Sequence, residues 1–423
     1  MTASRWSSTR REFLRAVGWG AAGTVAAGGA GVGILIGGRP LTPAAAAPNP
    51  EVKLGLAATD GHITLPGRPG DGGLYIFGFI DVPLTQTVAQ LSANFKGKAQ
   101  HVAPILDFKQ ENDIYLTLTN LGLVGRPDLT DSHTIHWHGF RTPSALFDGV
   151  PEVSVAVPIQ RQFTYFYRPH NPGTYMYHCH FEDVEHVQMG MTSIVFVRPT
   201  QDGSAALDPL GRTTTYAYND GDGSTAYDRH FAILLNEIEE RQHDADEQIQ
   251  EFIPTDFDPQ YFTLNGRVYP QTVLPNGDPA LPYQPVSALV QVNPGDRVLL
   301  RLANLGYLQH SMQLPGIALK VVGEDAVLRR SPSGVDTSYL TNTLYLGPGE
   351  ARDVLFTAPP FNPGAPVTTD GQGRTYNTYL FKNRDFRKLS NHGAPGLGGM
   401  ATEVRVYQGA PLPAQTSVGQ TYA

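Results

Sequence analysis

The stretch Asp113-Ile114-Tyr115-Leu116-Thr117-Leu118-Thr119-Asn120-Leu121-Gly122 alternates side-chain character with period two and stops at a glycine, the pattern of a half-buried strand running into a turn. The same Leu-x-Leu-x-Asn-Leu-Gly returns at Leu300-Arg301-Leu302-Ala303-Asn304-Leu305-Gly306, behind Leu289-Val290-Gln291-Val292 and a Pro294-Gly295-Asp296 turn. Two further pairs follow in the same order. Gly173-Thr174-Tyr175-Met176-Tyr177 matches Thr378-Tyr379-Leu380-Phe381, and Gly190-Met191 matches Gly399-Met400. Ordered repeats of this kind imply duplication of one β unit. The 423 residues exceed what one core serves, and 45 Gly and 34 Pro favour many turns over long helices. The expected fold is therefore all-β, with two Greek-key β-sandwich domains.

The first domain is expected over residues 74–199, opening on the strand Leu74-Tyr75-Ile76-Phe77, with the Gly- and Pro-rich residues 48–73 as an N-terminal arm. An acidic and polar linker is expected over 200–229, a short helix within 237–250, a second domain over 230–410 and a tail over 411–423. Residues 1–47 read as a twin-arginine export signal. Arg10-Arg11 precede a Gly/Ala-rich apolar run, and Ala44 to Ala47 supply small residues for cleavage. The expected location is secreted, periplasmic or cell-surface, with no stable membrane anchor after signal removal. A formal charge of -8 without clustered Lys or Arg excludes a nucleic-acid binder.

Cys179 is the only cysteine, so no intrachain disulfide exists. An isolated cysteine is ordinarily a small buried hydrophobe, but its neighbours argue otherwise. Side chains on a strand repeat every second residue, so His136 and His138 share a face, and so do His178 and His180, leaving Cys179 to point the opposite way. One strand can thus serve two metal sites. On the thiol side, His186 and Met191 follow after a loop, and His133 comes from the neighbouring strand region. Two His, one Cys and a weak axial Met make the donor set of electron-transfer copper. The short Cys-x2-Cys spacing of structural zinc is absent.

His133-Thr134-Ile135-His136-Trp137-His138-Gly139 and Gly173-Thr174-Tyr175-Met176-Tyr177-His178-Cys179-His180, followed by His186 and Met191, resemble the copper motifs of the multicopper oxidases, especially two-domain laccase-like members. The resemblance implies two cupredoxin domains. It implies type 1 copper at His133, Cys179, His186 and Met191, and a type 2/type 3 copper cluster with His136, His138, His178 and His180 as catalytic ligands. It also implies electron flow from a small reducing substrate, phenol-like or a metal ion, to dioxygen. Two-domain relatives commonly form trimers, so the resemblance also implies a homotrimer with an intersubunit copper site. With only six Met, no methionine-rich insert points to cuprous ion as the donor.

The second half departs from the pattern. His310 matches His133, but Gln313 and Pro315 stand for His136 and His138, and Lys382, Asn383 and Arg384 stand for His178, Cys179 and His180. His310 and His392 remain as isolated imidazoles. Two other functions compete. A copper nitrite reductase shares the expected architecture, but Arg384 stands where its interface histidine belongs and His136 where its pattern has an acid. A non-catalytic electron-transfer protein needs only the type 1 site and leaves four histidines unexplained. Glu182-Asp183-Val184-Glu185 reads as a solvated acidic turn or a substrate contact, and Asp148 as a turn residue or a proton-steering carboxylate. Trp137 reads as packing beside the ligands.

Overall fold

The computed structural model describes residues 49–68 and 73–415, with short strand segments at Ile34–Ile36, Arg39–Leu41 and Thr421–Tyr422. Residues 1–48 form a unit of their own, in which Ile34–Ile36 pairs antiparallel with Arg39–Leu41. Apart from that hairpin, the expected export signal lies outside the described residues.

The first sandwich is built from β1 (Glu51–Ile63), β2 (Leu74–Val82), β3 (Ile105–Lys109), β4 (Asp113–Asn120), β5 (His136–His138), β6 (Gln162–Tyr167), β7 (Gly173–His178) and β8 (Thr192–Arg198). One sheet has the order β2-β1-β4-β6, and the other runs Thr421–Tyr422, β3, β8, β7, β5. Between them lies an aromatic core in which Trp137 stacks on Phe108 and Tyr167 at centroid distances of 5.4 and 4.2 Å, the packing role read from its sequence. Asp113–Asn120 is a strand, as its alternation predicts.

β1 corrects the expectation of an arm over 48–73. Glu-Val-Lys-Leu-Gly-Leu-Ala-Ala-Thr-Asp-Gly-His-Ile lacks the alternation that marks a strand, because it is buried on both faces and small residues are needed for close approach. A Cβ on Gly55 would meet the Val82 carbonyl oxygen at 2.6 Å, and one on Gly61 the Ala99 nitrogen at 3.0 Å. Buried Asp60 is satisfied by the Tyr75 hydroxyl at 2.8 Å and by the Val124 and Gly125 amides, each at 2.7 Å.

The second sandwich repeats this wiring with β9 (Arg229–Ile238), β10 (Tyr261–Leu264), β11 (Val290–Val292), β12 (Arg297–Asn304), β13 (His310–Gln313), β14 (Leu319–Glu324), β15 (Thr343–Leu346), β16 (Ala351–Thr357), β17 (Thr375–Asn383) and β18 (Ala401–Tyr407). β1 pairs parallel with β4 as β9 does with β12, and β8 pairs parallel with β3 as β18 does with β11. The duplication read from three short motifs is thus a repeat of topology. Residues 200–227 contain no long strand but are tied down: Arg297 bridges Asp208 at 2.6 Å, and the Tyr218 hydroxyl donates to Asp353 at 2.5 Å. The expected short helix runs Glu240–Glu247. An apolar seam of Val102, Ile105, Ile194 and Phe196 against Leu234 and Leu305 joins the sandwiches. No helix among the described residues is long and apolar enough to cross a membrane.

Candidate metal centre

β7 carries Tyr177 and His178 up to Cys179 and pairs antiparallel with β5, which sets His136 opposite His178 and His138 opposite Met176. The two-residue period then sorts the donor side chains onto two faces. His136, His138 and His178 offer ring nitrogens that all lie within 4.8 Å of one another. The His180 ring centroid is 5.1 Å from that of His136 and 5.5 Å from that of His178, so all four imidazoles share one face. His136 Nδ1 bonds the Asp148 carbonyl at 2.6 Å and His178 Nδ1 the Cys179 carbonyl at 2.8 Å. Backbone acceptors on Nδ1 fix the tautomer and leave Nε2 to face a metal. Asp148 therefore acts first through its carbonyl, while its carboxylate stands 3.8 Å from the same ring nitrogen. Burial and the neighbouring rings hold His178 down to about 3, so it stays neutral and able to donate a lone pair.

On the opposite side of the strand, the fully buried Cys179 sulfur lies 3.3 Å from His186 Nδ1 and 3.8 Å from His133 Nδ1. The Thr134 amide donates to the same sulfur at 3.4 Å. Met191 is brought in by backbone bonds: its amide donates to the His186 carbonyl at 2.9 Å, and its carbonyl accepts from the Cys179 amide at 3.1 Å. Gly190 makes that turn at φ 119, where a Cβ would meet the Phe77 carbonyl oxygen at 2.9 Å. His186 sits on a helix, α1 (Asp183–Met189), so the acidic segment read as a turn is a helical one with Glu182, Asp183 and Val184 exposed.

Burial opposes charge on the His186 ring, yet the Cys179 sulfur, Asp131 and Glu185 outweigh it and lift the imidazole to about 10. His133 is pushed the other way, by burial and by His186. Surroundings that draw a proton onto His186 draw a metal cation for the same reason. Two imidazole nitrogens converge on one thiol in a dry pocket, with a methionine held beside them. That donor set fits copper better than a hard cation or four-coordinate structural zinc.

The second sandwich offers no such pair of sites among the described residues. Gln313 faces Lys382 across β13 and β17, and Arg384 bonds the Thr343 hydroxyl at 3.1 Å. His310 is buried against Glu237 at 2.9 Å, and His392 pairs with Glu240 at 2.9 Å. Sequence reasoning missed Asp131, although it stands only two residues before His133. It also missed Gly349, whose Cβ would sit 3.0 Å from His138 Nε2, and Asp246, near Glu185, for which the sequence carries no signal.

Residues 93–202 and 241–365 each match a family model described as Multicopper oxidase. Laccase-1 of Emericella nidulans is 31% identical over 120 residues, which are 27% of this chain and 17% of that protein. Laccase-5 of Arabidopsis thaliana is 27% identical over 289 residues, which are 66% of this chain and 40% of that protein. The chain thus spans well under half the length of these relatives. The crystal structure of Blue Copper Oxidase from Nitrosomonas europaea superposes with a TM-score of 0.58 at 22% identity, covering 84% of this chain and 86% of that one, a likeness of fold. The two cupredoxin-like sandwiches agree with it. Since models of one family match more than half of the sequence and the donor set suits the same metal, the chain belongs to the multicopper oxidase family, as a two-domain, laccase-like member whose cofactor is copper.

Proposed function

We propose that the protein is an oxidase that takes electrons from a small reducing substrate at the Cys179 pocket and passes them to dioxygen at the face of His136, His138, His178 and His180. The observation that carries this reading is the single strand end on which Cys179 points into one donor set while His178 and His180 point into the other. In this reading His133, Cys179, His186 and Met191 hold type 1 copper, and the four remaining histidines hold the dioxygen-reducing copper. Bound copper supplies one-electron redox chemistry. The protein supplies a short covalent route between the sites, from the Cys179 sulfur through the peptide to the His178 ring, reinforced by the bond from His178 Nδ1 to the Cys179 carbonyl.

Donor chemistry follows from the surroundings of His186. Asp131, Glu182 and Glu185 gather beside its ring, which favours a cationic donor or a phenol that gives up a proton as it is oxidised. Gln313, Pro315, Lys382 and Arg384 stand in the matching places of the second sandwich, so in a homotrimer the cluster is completed only by first-sandwich histidines of another copy. Arg10-Arg11 and the apolar run behind them support export by the twin-arginine route.

Metal analysis with optical and EPR spectra, beside oxygen uptake with a phenolic donor, tests the reading. More than one copper per chain, a copper–thiolate band and donor-dependent oxygen uptake support it. Nitrite reduction without oxygen uptake, or a blue protein with one copper and no turnover, overturns it.

A further inference from the structure

The second sandwich contains a pocket built on the plan of the Cys179 site. The frame is the same bond for bond. Asn120 Oδ1 accepts from the Gly122 amide at 2.9 Å, and Asn304 Oδ1 accepts from Gly306 at 2.9 Å. The Asn120 side-chain amide donates to the Asp131 carbonyl at 2.8 Å, and that of Asn304 donates to Leu308 at 2.8 Å. Cys179 donates its amide to the Met191 carbonyl at 3.1 Å, as Asn383 does to Met400 at 2.9 Å. Met191 donates to the His186 carbonyl at 2.9 Å, as Met400 does to Lys388 at 2.9 Å. His133, Cys179, His186 and Met191 therefore have His310, Asn383, Lys388 and Met400 as their counterparts.

The side chains complete the match. Lys388 Nζ lies 3.2 Å from His310 Nδ1 and donates to the Gln309 carbonyl at 2.6 Å. Asn383 Nδ2 lies 3.4 Å from His310 Nδ1 and 3.3 Å from the Met400 sulfur. His310 Nε2 is held by Glu237 at 2.9 Å, which leaves Nδ1 as an acceptor aimed into the pocket. Phe262 lies under the Lys388 ammonium at 5.5 Å, where Phe77 packs on His186 at 5.7 Å in the first sandwich. Burial pushes the Lys388 ammonium below its usual range, and an imidazole lone pair, a carbonyl and an aromatic face hold it in the place a metal cation would occupy.

We infer that the second sandwich carries a copper pocket of the same build, in which the Lys388 ammonium takes the cation's place, so that Asn383→Cys with Lys388→His makes it a copper–thiolate centre. In the native chain Lys388 keeps copper out, and all bound copper belongs to the first sandwich. The inference borrows the type 1 reading of the Cys179 site, so the test is made in full-length protein carrying Cys179→Ser, which removes any native thiolate signal. Failure of the Cys179 reading shows in the native protein, and failure of this inference shows only in the added variants.

Copper is added to the Cys179→Ser parent, to the same chain with Asn383→Cys and Lys388→His, and to the parent with Lys388→His alone. Expected are one additional copper per chain in both variants and an intense copper–thiolate band only where Asn383→Cys is present. Folded variants, by circular dichroism, that take up no more copper than the parent overturn the inference. Failure of both to fold overturns it too, because a pocket shaped around a cation site accepts an imidazole in place of the lysine chain.

Discussion

His186 Nε2 lies 3.8 Å from Asp131 Oδ2, and neither buried atom has a hydrogen-bond partner. The separation is that of an ion pair rather than a hydrogen bond, and it sets a carboxylate at the outer edge of the imidazole whose Nδ1 faces Cys179. Asp131→Ala removes the charge that orients and polarises the ring. Loss of such an outer partner costs roughly ten- to a hundredfold in metal affinity or activity. The expected outcome is weaker copper retention on dialysis and slower donor oxidation, with unchanged far-ultraviolet circular dichroism.

Cys179→Ser separates the two proposed metal sites. Its sulfur lies within 3.3 Å of one ring nitrogen and 3.8 Å of another, and serine matches its size without offering a thiolate. The variant is expected to fold and to lose its visible band and its donor-driven oxygen uptake, while EPR still reports copper at the histidine face. His178→Ala is expected to do the opposite, keeping the blue colour and losing oxygen uptake, because His178 belongs to the cluster within 4.8 Å with His136 and His138.

Asp246 gives a pH dependence. Burial, reinforced by Glu185, raises it from 3.8 to about 7, and its Oδ2 is buried without a partner. A carboxyl raised on folding stabilises the protein fully below its unfolded value, and that contribution is lost as pH rises through the folded one. Asp246→Asn is therefore expected to raise stability above about pH 7, by about 1–2 kcal/mol after solvent screening. The gain vanishes near about pH 4. Denaturant midpoints at the two pH values check it.

Asp60 tests the strand that the sequence concealed. It accepts from Tyr75, Val124 and Gly125, at 2.7 to 2.8 Å, across β1, β2 and the loop after β4. Asp60→Ala leaves those donors buried and unpaired, at a cost of about 3 kcal/mol. Urea unfolding monitored by tyrosine fluorescence is expected to show the loss with an unchanged copper spectrum.

The two donor clusters of the first sandwich that we propose as copper sites were legible because their geometry is local. A strand's period sends Cys179 one way and His178 and His180 the other, and residues five and seven apart bring His186 and Met191 back over a single helical turn region. The duplication was legible because Leu-x-Leu-x-Asn-Leu-Gly preserves an asparagine whose side chain ties the same turn in both copies. Tertiary structure alone decided the rest. β1 is a strand because neighbours bury both its faces, which erases the alternation that names a strand in sequence. Lys388 answers to His186 although five residues separate it from Asn383 and twelve from Met400, where the first copy has seven and five. Loop lengths drift freely at a surface, while the hydrogen bonds that close the pocket stay fixed, so the correspondence exists in space and not along the chain.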